Sequence, residues 1–206
     1  MEWGNVISIV MGVLMLIALP LALRKRKKAG PIKREEICQH FHDMGIEAAL
    51  WEGDNDEEKI GLSRFSGQKS EGIIELTGRN IELVNVVSIA SQYGVRYFLD
   101  YLVKAPNIME ERKLKKTRLL RRKSPPLWGK VVAIDWEGDN SLAQTLNLDY
   151  NLEDKFLRAG MDIFKGDIVI FPEPRYGYVR IRTEYSFPSA EIFEAISIVA
   201  RHVKSW

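Results

Sequence analysis

The chain has 206 residues, 46% hydrophobic and 28% charged, which suits one ordinary globular domain or two small ones and excludes a disordered or fibrous chain. One cysteine, Cys38, excludes an internal disulfide framework, and with three scattered histidines, His40, His42 and His202, it assembles no zinc site unless carboxylates join in. The formal charge of +2 conceals a segregation, because 13 of the 30 basic residues fall in two clusters and the remaining 17 face 28 acidic residues. Such clusters on an acidic body predict an anionic partner for the clusters and a body that repels nucleic acid.

Trp3 to Leu23 contains no ionisable side chain. At ~1.5 Å per residue this run makes a helix of roughly 31 Å, about the thickness of a bilayer core. It stops at Arg24-Lys25-Arg26-Lys27-Lys28, the first basic cluster, while Glu2 is the only charge before it. That asymmetry predicts a single-pass membrane helix with the amino terminus outside and the bulk of the chain cytoplasmic. A cleaved signal peptide fits less well, since Met1 to Asn5 carries no cation.

Ala29-Gly30-Pro31 reads as a hinge, and Ile37, Phe41 and Met44 then recur at helical spacing, with Gly45 placed to cap the helix. Ile46 to Trp51 reads as a strand. Lys59 to Phe65 and Glu71 to Thr77 look like a hairpin around residues 66–70. Asn80 is expected to cap a helix from Ile81 to Tyr93, and the alternation of Val95, Tyr97, Leu99, Tyr101 and Val103 predicts a strand.

The second basic cluster, Arg112, Lys113, Lys115, Lys116, Arg118, Arg121, Arg122 and Lys123, lies between Pro106 and Ser124-Pro125-Pro126 and reads as a connector. Leu127 to Trp136 is a strand of buried type. Ser141 to Leu148 and Leu152 to Ala159 are short helices, Ile168 to Phe171 and Tyr178 to Tyr185 a second hairpin, and Ser189 to Lys204 an amphipathic helix.

Trp51-Glu52-Gly53-Asp54-Asn55 returns unchanged as Trp136-Glu137-Gly138-Asp139-Asn140, each copy following an apolar strand and preceding a hairpin and a helix. This echo predicts a tandem duplication. The expected fold class is therefore α+β, with one N-terminal transmembrane helix followed by a cytoplasmic α+β region of two pseudo-repeated units. Its divisions are a transmembrane anchor with basic collar (1–28), a hinge (29–32), a first α+β unit (33–104), a basic Pro-flanked connector (105–126) and a second α+β unit (127–206).

Ile134-Asp135-Trp136-Glu137 is the only stretch with catalytic character. An apolar strand ending in Asp-x-Glu can present two carboxylates to a divalent metal, and in this short feature alone it resembles the first strand of metal-dependent exonucleases and RNase H-like enzymes. The further acidic group such chemistry needs has no convincing source, so Asp135, Glu137 and Asp139 are expected to be structural. Trp136 should be packed, Gly138 in a turn conformation, and Asp139 or Asn140 capping a helix. Cys38 with His42 at i+4 reads as core packing, and Arg180 and Arg182 as one face of a half-solvated sheet.

No catalytic residue, metal ligand or cofactor is assigned. The expected function is a membrane-anchored cytoplasmic binding or scaffold protein whose partners are the membrane, an anionic lipid surface and another protein. Candidate anion-binding residues are Arg24, Lys25, Arg26, Lys27 and Lys28 together with the eight cations from Arg112 to Lys123. The alternatives are a metal-dependent nuclease or phosphodiesterase using the Asp135-Glu137 strand end, and a membrane-tethered nucleic-acid-binding module.

Overall fold

Helix α1 (Arg34–Asp43) buries Ile37, Cys38 and Phe41 on one side and carries Glu35 and Glu36 in its first turn, where they complement the positive end of its dipole. Gly45, at φ 73°, ends it by returning its N–H to His42 O at 2.8 Å. The computed structural model describes residues 33–52, 57–62, 67–108, 114–126, 129–161 and 166–206.

The strands are β1 (Ala48–Leu50), β2 (Gln68–Leu76), β3 (Leu83–Ser91), β4 (Gly94–Lys104), β5 (Thr117–Ser124), β6 (Lys130–Glu137), β7 (Val169–Glu173) and β8 (Tyr178–Glu184). They form one antiparallel sheet in the order β1-β2-β3-β4-β8-β7-β5-β6. The pairing of β4 with β8, Tyr101 opposite Ile181, makes the early and late strands one sheet.

Register places Ile74, Val84, Tyr101, Ile181 and Ile170 in a row across five strands, none more than 1% exposed. Each apolar side chain in that row contributes about 1.5–3 kcal/mol by leaving water. Tyr101 packs on Phe193 of helix α4 (Ala190–Lys204) with ring centroids 6.3 Å apart, and Phe193 in turn meets Phe41 of α1 at 5.4 Å. At the other end of the same face, Trp136 packs on Phe156 of helix α3 (Tyr150–Arg158), beside helix α2 (Asn140–Asn147). Asp139, Asp149 and Ser189 cap α2, α3 and α4. The opposite face is covered in part by the turn of 3-10 helix Glu57–Lys59, which sets Ile60 on Ile73, Leu83 and Leu102.

Several expectations are corrected. Residues 81–93 form a turn and strand β3 rather than a helix; Leu83 to Ser88 are all buried, because both faces of this strand are covered and no period of two shows. The β-branched Val84, Val86, Val87 and Ile89 favour that outcome. Of the strand expected over Lys59 to Phe65, Lys59 ends the 3-10 turn Glu57–Lys59 and Ile60 to Leu62 continue without strand pairing, while residues 63–65 lie outside the described residues. Thr117–Ser124, read as connector, is a strand held between β6 and β7.

The fold class is corrected too: among the described residues the architecture is an eight-stranded antiparallel sheet with four helices, within a single unit Lys33–Trp206. The two pseudo-repeated units fail on helix placement. After Trp51 the chain runs into β2, β3 and β4, whereas after Trp136 it runs into α2 and α3. The two tryptophans also face opposite sides, Trp51 toward Ile60 and Trp136 toward Phe156. Among the described residues no helix is long and apolar enough to cross a membrane, the longest being the 15-residue α4, so the expected transmembrane helix and single-pass description have no support in them. Trp3 to Leu23 lies outside the described residues.

Candidate functional site

The repeated pentapeptide's second copy sits where β6 ends and α2 begins. Asp139 accepts from the N–H groups of Ser141 at 3.2 Å and Leu142 at 3.4 Å and from the Ser141 hydroxyl at 2.7 Å. Burial would raise its pKa, but the Ser141 hydroxyl and the N–H groups of Leu142, Lys115 and Ser141 outweigh it and hold the carboxyl below its usual value. Gly138 takes φ 140°, and a Cβ there would overlap the Lys116 carbonyl oxygen, with Thr117 Cα 2.6 Å away. Trp136 is 3% exposed.

The other two carboxylates are engaged by the neighbouring strand. Asp135 pairs with Arg122 at 2.8 Å and Glu137 with Arg118 at 3.4 Å. Both pairs project from the face opposite the helices, while alternation turns Arg121 to the helix side, where it donates to the carbonyls of Met161 and Gly166 and lies 3.7 Å from Asp167. Among the described residues no group of three or more His, Cys, Asp or Glu side chains is placed to hold a metal ion.

The basic stretch is therefore not one patch. Arg118 and Arg122 are exposed but ion-paired, Arg121 is half-buried, Lys115, Lys116 and Lys123 are exposed, and Arg112 and Lys113 lie outside the described residues, as do Arg24, Lys25, Arg26, Lys27 and Lys28. The placement of the chain's bulk in the cytoplasm and the lipid contact of the collar rest on those last five residues and on Trp3 to Leu23.

Arg180 and Arg182, expected on a solvated sheet face, are covered. Arg182 donates Nε and Nη2 to Asp100, each at 2.7 Å, and Arg180 donates Nε at 3.1 Å and Nη2 at 2.8 Å to Glu173 and Nη1 at 3.4 Å to Asp100. The Arg180 guanidinium stacks 4.3 Å from the Phe171 ring, and Gly61 closes against it from above. Two cations and two anions satisfy one another here, so this network braces β4, β7 and β8 and leaves no surplus charge for a ligand. Cys38 is buried, and burial, then the Glu35 charge, push its thiol pKa up, the condition of an inert core cysteine.

What composition did not reveal is the outer side of β6. This strand ends the sheet among the described residues. Its Trp136 N–H donates to Asn147 Oδ1 at 2.7 Å, and Asn147 Nδ2 donates to Trp136 O at 3.0 Å, so one carboxamide from the end of α2 fills the place of a neighbouring strand. The Leu119 N–H, across the ladder from Trp136, points the other way, to Ile168 O of the segment entering β7 at 2.9 Å. By alternation the backbone groups of Ile134 share the outward direction of Trp136.

Beside this edge runs an open groove of about 500 Å3 lined by Trp136, Glu137 and Gly138 on one wall and by Asn140, Gln144, Asn147 and Leu148 of α2 and its end on the other. Leu148 is 63% exposed, and the buried Trp136 Nε1 has no hydrogen-bond partner. Asn140, Gln144 and Asn147 recur at helical spacing, which was the only sequence signal of this wall; amides at i, i+4 and i+7 look like any solvated helix face until the edge strand is placed beside them.

No protein-family model matches the chain, and neither the curated proteins nor the solved structures contain a match to it.

Proposed function

We propose that Lys33–Trp206 is a binding domain without catalytic chemistry of its own, and that it takes an extended segment of a protein partner in the groove between the end of β6 and α2. The observation that carries this reading is the open groove itself: its wall of side-chain amides, Asn140, Gln144 and Asn147, runs beside the buried Trp136 Nε1, which has no hydrogen-bond partner, and ends on the exposed Leu148. The groove thus supplies neutral donors and acceptors with an exposed apolar end. Against a hydrolytic reading stand the commitments of Asp135 to Arg122, Glu137 to Arg118 and Asp139 to the α2 cap.

A displayed library of random twelve-residue peptides, selected on the full chain, tests it. Selected peptides are expected to lose binding to Leu148→Asp and to retain it on Tyr93→Asp, a control at the 85% exposed tip of the β3–β4 turn. Peptides that bind both variants equally, or a library that yields none, would overturn the reading. Manganese-dependent phosphodiester cleavage lost in the Asp135→Ala, Glu137→Ala double variant would instead make the protein an enzyme, and oligonucleotide binding with a steep salt slope, lost when Lys115 and Lys116 become Glu, would make it a nucleic-acid module.

A further inference from the structure

Resting on that reading, we infer that the segment held in the groove is uncharged, sets an apolar side chain on Leu148 and carboxamide side chains, two and four positions away, on Gln144 and Asn140, and gives one carbonyl oxygen to the Trp136 indole N–H. Asn140, Gln144 and Leu148 all line the groove at intervals of four residues, and Leu148, which follows α2, keeps a helical backbone. Four helical residues rise about 6.0 Å. Two residues of an extended chain advance about 6.6–6.8 Å. Alternate side chains of an extended segment laid along α2 therefore meet these three residues in turn. Each step also turns about 40° around the helix, which limits the match to about three residues.

The side chains of the wall fix the chemistry of each position. Asn140 and Gln144 are exposed, and their side chains make no hydrogen bond among the described residues, whereas Asn147 is committed to the backbone of Trp136. A free carboxamide offers a donor and an acceptor side by side, which another carboxamide matches with two hydrogen bonds. Leu148, 63% exposed, offers apolar area alone. Glu137 is the one charged side chain of the lining, and Arg118 neutralises it at 3.4 Å, so a charge brought into the groove would lose water without gaining a partner. Trp136 Nε1 is the one buried side-chain donor among the described residues without a hydrogen-bond partner. An unpaired buried donor carries a penalty that a ligand carbonyl removes.

The test selects the same peptide library on the full chain of the wild type and of Gln144→Leu, an exposed helix position where leucine suits the helix as well as glutamine does. Wild type is expected to enrich Asn or Gln two positions from an apolar anchor, in peptides whose binding high salt leaves unchanged. Gln144→Leu should bind those peptides at least about tenfold more weakly and enrich an apolar residue at that position instead. In proton–nitrogen correlation spectra of the wild type, the Trp136 indole N–H resonance, assigned from sequential connectivities, should move downfield and exchange more slowly with peptide bound. Leu148-dependent peptides that show no carboxamide enrichment and bind Gln144→Leu equally, or that carry charged residues at that spacing, overturn this inference and leave the groove reading standing. An unmoved indole resonance overturns the carbonyl contact. A library that yields no Leu148-dependent peptide overturns both readings, and so does self-association of the full chain abolished by Leu148→Asp, which would assign the groove to a second copy.

Discussion

Asp100 and Arg182 stand opposite each other on β4 and β8, and the carboxylate takes both Nε and Nη2 of the guanidinium at 2.7 Å in a site where Asp100 is fully buried. Its second oxygen also accepts from Arg180. Removing the shared anion leaves two covered cations with Glu173 alone. Asp100→Ala is expected to destabilise the domain by about 3–5 kcal/mol, and Asp100→Asn by less, because the amide still accepts one hydrogen bond. Denaturant unfolding midpoints measure both; a loss under about 1 kcal/mol for the alanine variant would show that the sheet does not depend on this brace.

Gly138 and Gly45 both have positive φ, but only Gly138 also faces backbone at close range, whereas a Cβ at Gly45 meets nothing within 4 Å. Gly45→Ala is therefore expected to cost about 1 kcal/mol, from backbone conformation alone, and Gly138→Ala more than about 2 kcal/mol, because Lys116 and Thr117 must also move. Equal losses in urea unfolding would remove the steric part of that argument.

Asp149 caps α3 through the Leu152 N–H at 3.0 Å and meets His202 Nε2 of α4 at 2.7 Å. Burial alone would raise its pKa, but the His202 hydrogen bond, the Leu152 N–H and the charges of His202 and Arg201 outweigh it, and the net shift is downward. A carboxyl whose folded pKa lies below its unfolded value stabilises the fold above the unfolded pKa, about 4, and that contribution disappears as pH falls through the folded pKa. Asp149→Asn should therefore be about 1 kcal/mol less stable than wild type at pH 7, with the gap closing below about pH 4. Urea titrations at pH 7, 5 and 3 check this, and a gap that widens toward acid contradicts the assignment.

Asn147 serves Trp136 on both backbone groups, so Asn147→Ala exposes an N–H and a C=O at the sheet edge. Water can take their place there, which limits the cost to about 1 kcal/mol. The sharper readout is amide exchange: the Trp136 N–H should lose protection in the variant, while the Leu119 N–H, bonded to Ile168 O, keeps it. Unchanged protection at Trp136 would mean that the carboxamide does not hold this edge.

Elements whose signals are local were determined by the sequence itself. Alternation from Val95 to Val103 lies within β4, Gly45 ends α1, and Ser189 caps α4, because periodicity, φ preference and side-chain capping act over a few residues. The structural character of Asp139 was legible for the same reason, since its partners are two and three residues away. Tertiary structure decided the rest. Leu83–Ser91 became a strand because both sheet faces around it are covered, and Thr117–Ser124 became β5 because β6 and β7 supply its ladder, although its charges suggested a linker. Arg180 and Arg182 were drawn inside by Asp100, 80 and 82 residues earlier in the chain, and the groove exists because Asn147 at the end of α2 is folded back onto the backbone of Trp136. Burial on both faces and charge pairing across the sheet depend on neighbours remote in sequence, so no window along the chain contains them.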